Sequence, residues 1–135
     1  MRVVDVLPLQ LGVVMYPEHE KVKKLLVDEI RGHGDDYEHK KVDAKAKGLE
    51  HLDYYSPLSN NKYKEFREWI EQQAEIYAKN ILGYDTSDFL LTDSWINVCD
   101  AGGRQKPHFH INAAVCCLYY VNFDDSSHSP TYFYR

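Results

Sequence analysis

Two histidines one residue apart, His108 and His110, stand in the stretch QKPHFHINAAVCCLYYV (residues 105–121), just before a run of almost purely apolar residues. In an extended chain, side chains i and i+2 project to the same face. Both imidazoles then point one way and Phe109 the other. Pro107 favours extended backbone at Lys106 before it. Two imidazoles on one face make a two-point grip for a first-row transition metal such as iron, zinc or copper, and a third ligand has to come from elsewhere in the fold. The competing explanation is structural: two polar residues that border a strand.

Other chemistry-bearing residues are less organised. Cys99, Cys116 and Cys117 show no CxxC spacing, so they are expected as small buried apolar residues rather than zinc ligands. An odd count with one adjacent pair fits a reducing, cytoplasmic compartment (that of the host cell, for a viral protein). His19, His33, His39 and His51 are expected on the surface. The chain has no GxGxxG, P-loop, nucleophile elbow or HExxH motif, and Asp85, Asp88 and Asp93 lack calcium-loop spacing.

The elements that must position the histidines follow from periodicity. Residues 3–14 carry β-branched side chains and are expected to hold one or two short strands. A helix is expected from Pro17, with Val22, Leu25, Leu26 and Ile30 on one face and Gly32 and Gly34 at its end. Residues 35–59 are polar and mixed in charge and are expected as a long surface connection, with a short strand at 52–55. A second helix, capped by Asn60 or Asn61, carries Tyr63, Phe66, Ile70, Ala74, Tyr77 and Ile81 and stops at Gly83. After it the pattern changes. Residues 89–99 are expected as a strand, 100–107 as a turn-rich loop, 108–123 as a second strand region broken near Asn112, 124–130 as a turn and 131–135 as a final strand. Helices first and strands later indicate α+β with an antiparallel half. The domain is single, 1–135, with a helical part at about 1–85 and a β part at about 86–135. A sheet left at a hairpin would expose an edge, so the β part is expected to be incomplete at its C-terminus.

A combined pattern covers residues 93–134: Trp95 and Asn97, Gly102 or Gly103, Gln105, His108 and His110, then Cys116, Cys117, Tyr119, Tyr120 and Val121. It resembles a family of 2-oxoglutarate/Fe(II)-dependent oxygenases found in bacteria and cyanobacterial viruses. The resemblance implies helices packed on an antiparallel double-stranded β-helix, or jelly roll. It implies Fe(II) held by a facial triad with open positions, with 2-oxoglutarate as the small-molecule co-substrate. Dioxygen would drive its decarboxylation to succinate and the hydroxylation of an unactivated C–H bond. His108 matches the first ligand of the family motif. His110 stands where relatives commonly carry Asp or Glu, which removes a negative charge from the site. Asn97, Gln105 and Tyr119 are the candidate co-substrate contacts, with Tyr120 as an alternative to Tyr119 and packing roles equally open for both tyrosines.

The chain departs from the family in its second half. No residue matches the distal histidine ligand or the arginine that would pair with the far carboxylate of 2-oxoglutarate. His128 fits a hairpin tip, and assigning Arg135 to that role would be forced. Cys116-Cys117 replaces a pair that is commonly Ser-Gly. Two rivals follow. Gly102, five residues and then His108-x-His110 opens like a cupin motif, but Ala114 and Val115 stand where that motif needs glutamate. A non-catalytic or cupin-like metal-binding β-domain derived from such an enzyme is the alternative from another class, and a homo-oligomer could complete an otherwise partial site.

Bulk properties exclude some partners. The 135 residues carry a formal net charge of −5 and eleven tyrosines. An acidic chain whose lysines alternate with carboxylates has no electrostatic footprint for nucleic acid or a membrane surface. No apolar run reaches spanning length, and residues 1–14 lack the pattern of a signal peptide.

Overall fold

A computed structural model describes residues 10–32, 46–52, 56–85, 89–128 and 130–133. Helix α1 spans His19–Gly32 and helix α2 spans Lys64–Asn80. Strands β1, Ala46–Leu52, and β2, Ile96–Gln105, pair antiparallel. Two short 3-10 turns, Pro57–Ser59 and Asn61–Tyr63, lead into α2.

Both helices form where apolar residues recur at helical spacing. On α1, Val22 and Leu26 are buried, four residues apart on one stripe. The entry to α2 is fixed by Asn60, whose side-chain oxygen accepts the Lys62 N–H at 3.0 Å and whose carbonyl accepts the Tyr63 N–H at 3.0 Å. Tyr63 and Phe66 are 1% and 2% exposed and Ala78, near the far end of α2, is 0% exposed, whereas Ile81 just past the helix is 49% exposed. Past α2, Gly83 adopts φ +71°, and this left-handed turn brings the Tyr84 N–H to the Ala78 carbonyl at 3.0 Å.

The core lies between the two helices. Tyr16, Val22, Leu26, Leu58, Tyr63 and Phe66 form it, and Leu91, Ile96, Tyr119 and Val121 pack against its rim. Tyr16 sits edge-on to Trp69 with ring centroids 5.0 Å apart and tilts against Phe66 at 4.9 Å. One carboxylate is buried with these rings. Glu29 accepts the Tyr63 hydroxyl at 2.7 Å and pairs with Lys62, so its charge is both hydrogen-bonded and neutralised.

Several local expectations are corrected. Residues 10–14 have no regular structure, and 1–9 lie outside the described residues. The 35–59 connection holds a strand at Ala46–Leu52, where a surface connection was expected, and it buries Pro57 and Leu58; residues 53–55 of the strand expected at 52–55 lie outside the described residues. The strand expected at 89–99 begins only at Ile96. It runs on through the expected loop to Gln105. Opposite Gly48 the partner strand carries extra residues, since Lys47 faces Arg104 and Leu49 faces Cys99. That bulge absorbs the glycine-rich turn into the ladder. Among the described residues, 106–133 contain no strand. No helix among them is long and apolar enough to cross a membrane.

Candidate metal centre

The chain reaches the histidines from a fastened segment. The Leu91 N–H donates to the Glu71 carboxylate on α2 at 3.0 Å. Ser94 Oγ accepts the Leu58 N–H at 3.1 Å and lies 2.7 Å from Ser56 Oγ. The backbone of Leu58 is itself held by Arg67, whose guanidinium donates to its carbonyl at 3.0 Å. Trp95 follows at once, and Ile96 then turns into the rim of the core. The indole of Trp95 is thereby placed by two helical contacts rather than by its own burial.

Trp95 is the first ring of a short aromatic series. Its centroid lies 5.4 Å from that of His110, at an interplanar angle of 36°. His110 lies 5.1 Å from His108, ring edge to ring face at 78°. Both histidines are exposed. The backbone at 106–110 is not part of a ladder, yet the two imidazoles come side by side. Position i+2 together with the Trp95 contact is sufficient to gather them.

His108 carries a further constraint. Its Nδ1 lies 3.1 Å from the Lys106 carbonyl oxygen. A carbonyl only accepts, so Nδ1 bears the proton and Nε2 of the neutral ring keeps its lone pair. An Nε2 lone pair left by an Nδ1–H held on a carbonyl is the arrangement that metal-binding histidines use. Two neighbouring imidazoles suit Fe(II) as well as Zn(II) or Cu(II). Among the described residues, no third His, Cys, Asp or Glu joins them.

The other candidate residues sit elsewhere. Asn97 lies on β2 opposite His51, and Gln105 ends β2 opposite Ala46. Both are exposed. Tyr119 turns to the helices. Its hydroxyl lies 2.6 Å from His19 Nδ1, and its ring packs on Phe66 at 4.7 Å. Burial raises the Tyr119 phenol above its ordinary pKa, with Tyr16 and Glu20 adding to the rise. The phenol stays protonated and available for this hydrogen bond. Tyr120 is engaged at Thr131 Oγ1, 2.6 Å away.

His19, expected on the surface, is half-buried against Tyr119. His33 and His39 lie outside the described residues. His128 closes a turn: its Nδ1 accepts the Asp124 N–H at 2.8 Å. The Asp124 carboxylate in turn accepts from the Ser126 N–H, Ser126 Oγ and Ser127 Oγ. Cys116 and Cys117, expected as buried, are both free and exposed.

What sequence reasoning missed was Trp95 as a neighbour of His110 and His19 as the partner of Tyr119. The first pair is 15 residues apart and the second 100, and neither contact follows from helical or strand periodicity. Compared with family models, curated proteins and solved structures, the chain matches none.

Proposed function

We propose that this chain is a 2-oxoglutarate- and Fe(II)-dependent dioxygenase-type protein, with its helices packed on a jelly-roll core and His108 and His110 as two of the iron ligands. The observation that carries the proposal is the adjacency of the two imidazoles, 5.1 Å between centroids, with His108 Nδ1 turned to the Lys106 carbonyl. When bound, Fe(II) with 2-oxoglutarate and dioxygen supplies oxidising power for C–H hydroxylation.

The chain's own residues have simpler tasks. The Lys106 carbonyl fixes the tautomer and rotation of His108, so its Nε2 keeps the lone pair. Trp95 limits the swing of the His110 ring. Two neutral ligands in place of the usual histidine and carboxylate leave the metal more positive. That favours binding of an anionic keto acid.

A second reading, a non-catalytic metal-binding β-domain, is favoured by the lack of a third ligand among the described residues. The deciding experiment is an anaerobic titration with Fe(II) and 2-oxoglutarate, followed through the visible charge-transfer band of the chelate. A band, lost in His108→Ala and weakened in His110→Ala, supports the oxygenase. Iron binding without a band supports the second reading. Unchanged iron affinity in His108→Ala overturns both.

A further inference from the structure

Tyr119 differs from Tyr63, Tyr77 and Tyr120 in what its hydroxyl meets. Tyr77 donates to the Gln10 carbonyl and Tyr120 lies on the Thr131 hydroxyl, neither of which takes up a proton near neutral pH. Tyr63 donates to the Glu29 carboxylate, whose charge Lys62 already neutralises. The Tyr119 oxygen stands 2.6 Å from His19 Nδ1, and an imidazole gains a proton close to neutrality.

The pair extends into a relay. The Glu20 carboxylate lies 3.9 Å from His19 Nε2. It favours the tautomer with its hydrogen on Nε2, which leaves Nδ1 to accept from the phenol. A proton passed to Nδ1 then makes an imidazolium beside an anion rather than an isolated charge. The phenol does not give up that proton by simple ionisation, because burial holds its pKa above the ordinary value. Loss of an electron changes this: an oxidised phenol is a strong acid and sheds its proton to a base already touching the oxygen. The ring is half-buried and lies in a series of touching aromatics. Tyr119 packs on Phe66 at 4.7 Å, Phe66 on Tyr16 at 4.9 Å, and Tyr16 edge-on to Trp69 at 5.0 Å. Such a series shields a radical and offers an electron short steps between rings.

We propose that Tyr119 is a redox-active tyrosine whose one-electron oxidation delivers its proton to His19 Nδ1. The Tyr119 O–H bond breaks and an N–H bond forms on His19. The electron passes to an outer-sphere one-electron oxidant at the surface, the class represented by tris(bipyridine)ruthenium(III). The products are a neutral tyrosyl radical, an imidazolium beside Glu20, and ruthenium(II). Return of one electron reverses each change. The site is separate from His108 and His110 and needs neither iron nor 2-oxoglutarate.

The test oxidises the full chain with photogenerated tris(bipyridine)ruthenium(III) and reads the tyrosyl radical by electron paramagnetic resonance. A Cys116→Ser, Cys117→Ser double variant serves as the parent, since the exposed thiols compete as donors. A tyrosyl signal that forms more slowly in deuterium oxide, and that is lost in Tyr119→Phe but kept in Tyr120→Phe, is the expected result. His19→Gln keeps an acceptor for the phenol but removes the base. It should slow radical formation about a hundredfold, the low end of what a positioned base contributes. An undiminished signal in Tyr119→Phe, or an unchanged rate in His19→Gln, overturns the proposal.

Discussion

His108 and Asp124 show how single residues acquire a preset state from their immediate backbone. For His108 a carbonyl two residues back selects the protonated nitrogen. For Asp124 three hydrogen bonds do the equivalent for a charge. Ser126, through its hydroxyl and then its N–H, and Ser127 hold the Asp124 carboxyl below its ordinary value of 3.8. The native state therefore favours the ionised form. The stabilisation is fully present above that ordinary value and is lost as pH falls through the lower folded value. An NMR titration should show the Ser126 amide moving with the Asp124 carboxyl at a pH below that of a free aspartate. Coincidence with the free value would mean that the turn does not hold the carboxylate. At this scale the sequence was informative about His108 and His110, because i+2 spacing is local. It was silent on Tyr119, whose partners His19 and Phe66 are supplied by distant helices.

Elements differ in how far their pattern determines them. α1 and α2 were legible because a period near 3.6 and flanking Asn60 and Gly83 are local signals. β1 was obscured by its polar composition, AKGLEHL, within a charged segment. β2 was misjudged at both ends, because the bulge opposite Gly48 lets a glycine-rich turn remain in register. The apolar run 115–121 was expected as a strand, since its composition suits one. Tyr119 and Val121 instead meet the rim of the helical core, and burial against helices satisfies an apolar run without a ladder. A clean test exists at the end of α2. A Cβ on Gly83 would meet nothing within 4 Å, so the cost of Gly83→Ala is confined to its φ of +71°. It should destabilise by about 1–2 kcal/mol in urea unfolding. A neutral result would show that the turn can relax to a right-handed form.

At the scale of the molecule, among the described residues, the C-terminal run meets the helical core through Tyr119 and Val121. Tyr119 is the broadest of these, lying against Phe66 and His19. Tyr119→Ala removes a half-buried ring and its hydrogen bond, and should cost roughly 1.5–2.5 kcal/mol, about half the usual penalty for a fully buried aromatic. It should also change the fluorescence of Trp69, which stacks beside Phe66. Unaltered stability and emission would mean that the run is not anchored by this residue. The exposure of Leu118 and Tyr120, 58% and 46%, shows that the helices cover only part of the apolar run.

The His19–Tyr119 contact spans 100 positions of sequence, and that separation bears on how the protein is made. Both helices are synthesised before Tyr119, which follows the end of α2 by 39 residues. Until then Phe66 lacks the ring that covers it, and the helical pair must wait with an open flank. Closing so long a loop is slow compared with forming either helix. The nascent chain therefore passes through a stage in which its aromatic cluster is accessible to chaperones and to other chains, and that stage ends only when the segment carrying the two thiols and Tyr119 emerges.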